Sequence, residues 1–121
     1  MKVTLKTRKV NGIVVMDISG RLCAGQPTLL LHETVRKFIE DGDNNFLINL
    51  ADVSFIDTSG LGELISTYSL ADSGGGAAKL LHLGKKAKGV LQMTKLLTVF
   101  DTFVDEVQAI NSFQKQTAAT A

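Results

Sequence analysis

Little in this sequence advertises a role by abundance. Cysteine occurs once, at Cys23, so an internal disulfide and a cysteine-based metal cluster are both excluded. Proline also occurs once, at Pro27, and neither an internal repeat nor an inter-domain linker can be found. Charge of one sign is missing too: 13 basic and 12 acidic side chains give a formal net charge of +1, with no basic block or stripe. Nucleic-acid binding therefore has little electrostatic support. No apolar run approaches a membrane span, and the amino terminus lacks the apolar core of a signal peptide. Direct membrane insertion is not indicated, and the cytoplasm is the expected compartment.

What is present fits one globular domain. The chain has 121 residues, 45% hydrophobic and 21% charged, enough to bury a core without covalent staples. K-V-T-L-K-T-R-K-V, residues 2–10, alternates like a half-buried strand, and Asn11-Gly12 supplies a two-residue hairpin turn. I-V-V-M-D-I-S continues as a second strand that stops at Gly20. Pro27 opens a helix running to about Asp41-Gly42, with Leu31, Val35, Phe38 and Ile39 on one face. N-F-L-I-N-L, residues 45–50, has the continuous apolar pattern of a central strand covered on both faces.

Leu61, Leu64, Ile65 and Tyr68 then recur at helical spacing, until Gly74-Gly75-Gly76 forms a loop. K-L-L-H-L is a short strand. Residues 85–96 form a helix with Ala87, Val90, Leu91 and Thr94 on one side. T-V-F-D-T-F supplies the last strand, and Val107, Ile110 and Phe113 mark a short final helix. Residues 1–113 thus form a single domain, and 114–121, polar and small, form a flexible tail that frays. The order β-β-α-β-α-β-α-β-α predicts an α/β fold: a mixed β-sheet with an N-terminal hairpin and four helices, its later strands parallel.

The stretch F-I-D-T-S-G-L-G-E-L, residues 55–64, falls at a joint between strand and helix, where functional groups of open α/β sheets collect. Asp57 or the Thr58 hydroxyl can cap the free amides of the first turn. Gly60 and Gly62 carry no bulk, so backbone amides there are expected to be open to a ligand. Glu63 complements the helix dipole. A phosphate on Thr58 would add about −1.5 to −2 charge at neutral pH, beside the free amides of the helix end. Taken alone, a D-T-S-G run is the pattern of a cap and a turn.

Other chemistries fit less well. A receiver domain, with Asp57 as phosphoacceptor, needs a first strand leading straight into a helix and an acidic pair, whereas Asp17 stands alone. A hydrolase needs a G-x-S-x-G elbow and a histidine paired with Ser59 or Thr58. His32 is expected at the surface of the first helix, and His82 within a strand. A phosphate loop fails at Lys79, which stands where its first glycine is required. Asp52, Asp101 and Asp105 lack a metal-ligand spacing.

The element order, together with I-S-G-R-L at residues 18–22 and L-I-N-L-A-D-V-S-F-I-D-T-S-G-L-G at residues 47–62, resembles the STAS domain, in particular the bacterial anti-sigma factor antagonists. The resemblance spans nearly the whole chain. It implies partner switching without catalysis and without a cofactor. An unphosphorylated antagonist binds an anti-sigma factor that is also a serine/threonine kinase of the GHKL type, and a sigma factor is released. The kinase phosphorylates the hydroxyl after the loop acid, and a PPM-type phosphatase reverses this. Carried onto this chain, the acceptor is Thr58, with Ser59 as second choice. Asp57, Gly60, Leu61 and Gly62 would shape the contact, with Arg21 and Cys23 beside it. Cys23 occupies a position where the family often has an acid. An alternative within the same fold is a non-switching scaffold, or an accessory subunit of a lipid transporter. Either would use an exposed apolar face around Leu61 and the neighbouring loops.

Overall fold

The computed structural model describes residues 3–95 and 98–120, apart from the side chains of Lys86 and 114–120. Nine elements follow the order β1 (Thr4–Val10), β2 (Ile13–Leu22), α1 (Gln26–Glu40), β3 (Asn45–Ile56), α2 (Thr58–Ser73), β4 (Ala77–Leu81), α3 (Lys85–Met93), β5 (Thr102–Phe103) and α4 (Glu106–Thr120). The strands form one sheet in the order β1-β2-β3-β4-β5. β1 and β2 are antiparallel, and every later neighbour pair is parallel. The mixed α/β sheet and its order match the expectation.

Local chemistry explains the joints. Asn11 and Gly12 take φ values of 51° and 80°, the left-handed pair that a two-residue hairpin needs, and Val10 pairs with Ile13 across the turn. Phe46, Leu47, Ile48 and Leu50 are buried, as a strand in the middle of a sheet requires. Their side chains alternate between two cores. Phe46, Ile48 and Leu50 join Val14, Met16, Leu31, Val35 and Leu64, while Leu47 joins Val15, Leu81, Ala109, Ile110 and Phe113.

Several boundaries move. β2 does not stop at Gly20 but reaches Leu22, because a glycine at φ 95° takes up a register shift and bends the strand without ending it. β3 runs six residues past the apolar run and pairs with the extended end of β2. That places Arg21 opposite Phe55 and Leu22 opposite Ile56.

At the other edge the last strand shrinks to Thr102–Phe103, since Phe100 turns inward as a buried core residue. His82 lies beyond β4 at φ 57° rather than within it. Thr94 caps the end of α3, its hydroxyl donating to the Val90 and Leu91 carbonyls, and is exposed rather than packed. Val107 points to solvent, and Ala109 takes the inner face of α4 with Ile110 and Phe113. α4 continues past Phe113 to Thr120, through alanine, glutamine and lysine, which favour helix. The expected strand start at Lys2 and helix end at Leu96 lie outside the described residues.

Candidate functional site

The β3–α2 joint is organised by one carboxylate. Asp57 has extended backbone and caps α2: its Oδ1 accepts from the Gly60 amide at 2.8 Å. Its Oδ2 accepts from the Ala24 amide at 3.0 Å, tying the start of α2 to the β2–α1 loop. The Asp57 amide donates to the Leu22 carbonyl at 3.3 Å. The Gly60 amide first, then that of Ala24, hold the Asp57 carboxyl below the usual aspartate range. It is therefore an anion at neutral pH.

The two glycines of the motif part company. A Cβ on Gly60 would overlap the Leu22 carbonyl oxygen, so only glycine lets the helix start sit this close to β2. Its amide is engaged by Asp57, so the expectation of an open amide at Gly60 is corrected. Gly62 is exposed, and a Cβ there would meet nothing within 4 Å. Leu61 is a second correction. It is 3% exposed and packs in the main core, so it offers no apolar face to a partner. Both follow from where the helix axis points: positions 60, 61 and 64 face the sheet.

Thr58 and Ser59 are exposed at the first two positions of α2. Since Asp57 makes the cap, neither hydroxyl is needed for it. Glu63 lies past the first turn and accepts from or pairs with His32 Nδ1 at 2.6 Å, joining α1 to α2 rather than serving the helix dipole. Cys23 is half-buried. Arg21 is exposed, its guanidinium 4.4 Å from the centre of the Phe55 ring.

Phe55 was the residue that pattern reading missed. It is 39% exposed and lines an apolar groove of about 340 Å³ with Ile56, Lys85, Gly89, Val90 and Met93. The signal was available: a phenylalanine two residues before an acid, in a stretch whose neighbours Asp52 and Ser54 are polar. Gly89 stands inside α3, where glycine costs about 1 kcal/mol relative to alanine. A Cβ there would meet nothing within 4 Å. Among the described residues no group of three His, Cys, Asp or Glu side chains is placed to hold a metal ion, and no helix is long and apolar enough to cross a membrane.

The family model of the STAS domain matches residues 4–109. The chain belongs to the STAS domain family. A curated relative, the anti-sigma F factor antagonist of Paenibacillus polymyxa, is 19% identical over 114 residues, covering 94% of this chain and 97% of that one. Among solved structures, an anti-sigma factor antagonist from Mycobacterium paratuberculosis superposes with a TM-score of 0.80 at 19% identity, covering 93% and 95% of the two chains. The phosphorylated form of the Bacillus cell fate determinant SpoIIAA gives 0.73 at 21% identity, covering 90% and 98%. These likenesses establish the STAS fold over nearly the full length.

Proposed function

We propose that this STAS domain is an anti-sigma factor antagonist, acting in the cytoplasm, whose docking is switched off by phosphorylation of Thr58. The observation that carries the reading is the division of labour at the joint. Asp57 satisfies the helix end, and Thr58 next to it presents a hydroxyl to solvent. The names of the relatives support the same role.

In this reading a GHKL-type anti-sigma factor kinase binds the unmodified joint and gives up its sigma factor. Transfer would form a bond from Thr58 Oγ1 to the γ-phosphorus of ATP and break the bond to the β-phosphate oxygen. ADP leaves, and the hydroxyl proton passes to a base on the kinase. A PPM-type phosphatase returns the hydroxyl by hydrolysis. Ser59 is the second candidate acceptor.

The bonding of Asp57 sharpens the switch. Its carboxylate already occupies the helix end, so a phosphate on Thr58 must stand outside it. Two anionic groups would then lie side by side under the docked partner. Burying such an uncompensated charge costs several kcal/mol, and about 1.4 kcal/mol is tenfold in affinity. Arg21 and Cys23 flank the same end and would meet the partner, as would Gly62. Gly60 and Leu61 act from beneath.

The test is capture from host lysate with magnesium and ADP, using wild type and Thr58→Glu as baits and mass spectrometry to identify the eluates. A GHKL-type kinase retained by wild type and lost from the variant is the expected result. Equal recovery of a transporter or another assembly on both baits would replace this reading with the accessory or scaffold role.

A further inference from the structure

We propose that the groove between the end of β3 and α3 is a second, constant part of the docking surface, and that it takes an amphipathic helix of the partner with an apolar ridge and an acidic flank. The proposal rests on the reading of this domain as a partner-binding antagonist and names the surface that the Thr58 switch does not control.

Three observations converge on it. Phe55, Ile56, Val90 and Met93 form the walls, and Met93, 87% exposed, extends them into solvent. The walls expose carbon almost exclusively, so an extended strand would find no backbone groups to pair with, whereas a helix ridge needs none. Second, Gly89 gives α3 a floor without a side chain. Its cost to the helix is not explained by internal packing, because no atom lies where its Cβ would be. A close approach from outside supplies the reason. Third, the rim is cationic. Lys85 lines the groove and Arg21 lies over the Phe55 ring, both exposed, and among the described residues neither is in an ion pair. Carboxylates flanking the ridge would meet them.

The groove is continuous with the switch, since Ile56 is two residues from Thr58.

Two arms test the proposal. In the first, the GHKL-type kinase is titrated against wild type, Gly89→Leu, Met93→Glu and Thr58→Glu. Gly89→Leu and Met93→Glu should each weaken binding at least tenfold, with unchanged far-UV circular dichroism. Met93 is so exposed that its variant keeps the question open even if Gly89→Leu misfolds. Gly89→Ala should raise Tm by about 3 °C while lowering affinity, a crossed pattern that a merely structural glycine cannot give. In the second arm, ¹⁵N-labelled protein is titrated to millimolar concentration with a designed helical peptide carrying a leucine ridge and glutamate flanks. A lysine-flanked twin is the control.

Expected are shifts of the Phe55, Ile56, Gly89, Val90 and Met93 amides with the acidic peptide alone, retained in Thr58→Glu and lost in Gly89→Leu. Kinase affinity within twofold of wild type in Gly89→Leu and Met93→Glu, with loss in Thr58→Glu, overturns the groove and leaves the switch standing. If wild type binds no kinase, the switch reading fails and the peptide arm decides the groove: shifts there support it, and unmoved groove amides overturn it.

Discussion

The two faces of the sheet are built on different plans. One is apolar along its length, with Val14, Met16, Phe46, Ile48 and Leu80 in a core shared with α1, α2 and α3. The other alternates. Ile13, Val15, Leu47 and Leu81 pack on α4, while Asp17, Asn49 and Lys79 set polar groups among them. On that face Arg8, Asp17 and Lys79 have fixed partners. Arg8 donates to Asp17 and Glu106, and Lys79 donates to Ser112 between the rings of Phe103 and Phe113. At the β3–α2 joint the bonds run instead from backbone amides to Asp57, and the hydroxyls of Thr58 and Ser59 stand outside. Paired polar groups hold α4 down. The joint presents chemistry to solvent on a support that is already satisfied.

The most severe way to break this contrast is Gly60→Ala. The added methyl meets the Leu22 carbonyl, a backbone atom that cannot swing aside, so α2 must shift from β2. A loss of about 3 kcal/mol is expected in urea denaturation. A far smaller loss would mean that the joint slides, and that the precise seat of Thr58 has no structural support.

Asp57→Ala comes next, since it strips acceptors from two amides at once. About 2 kcal/mol should be lost. The pH dependence has a definite sign. The folded carboxyl titrates below the unfolded value, so its contribution is complete above about pH 4 and falls away as pH drops through the folded value. Wild type and Asp57→Ala should therefore converge in stability in strong acid, and a constant difference down to the lowest pH would show that the bonds do not depend on charge.

Arg8→Ala is milder, because Arg8 is 40% exposed and its pairs are screened by solvent. About 1 kcal/mol is expected. Its location is the sharper reading: amides of α4 should exchange faster while those of α2 keep their protection. Arg8 also holds Asp17 and Glu106 below their usual carboxylate ranges, so this contribution too is lost on acidification. Equal loosening of α2 and α4 would mean that the two faces are one cooperative unit.

The sequence made the scaffold legible because its signals were local. Asn11-Gly12 could only turn, N-F-L-I-N-L could only be central, and three glycines could only end α2. The errors occurred where distant contacts decide. Leu61 follows two exposed hydroxyls in the chain, and only the helix axis reveals that it faces the core. Gly60 and Gly62 look alike as letters, and their difference lies in Leu22, nearly forty residues earlier. The groove needed β2 to extend past Gly20, which set Arg21 against Phe55, a register that no single segment encodes. β5 shortened because one aromatic, Phe100, gained more from burial than from pairing.

The smallest effect tests the site most selectively. Gly62→Ala adds a methyl at an exposed helical position where no atom lies within reach. Helix propensity alone predicts a gain of about 0.5–1 kcal/mol, opposite in sign to the neighbouring Gly60→Ala. A residue that forgoes this gain without any packing reason is one whose bareness serves something outside the chain. If that is the kinase closing over Thr58, the alanine variant should be more stable and yet accept phosphate more slowly, as followed by phosphate incorporation over time. A variant that gains stability and is phosphorylated at the wild-type rate would remove Gly62 from the proposed docking surface, leaving Thr58 and its support on Asp57 as the whole of the proposed switch.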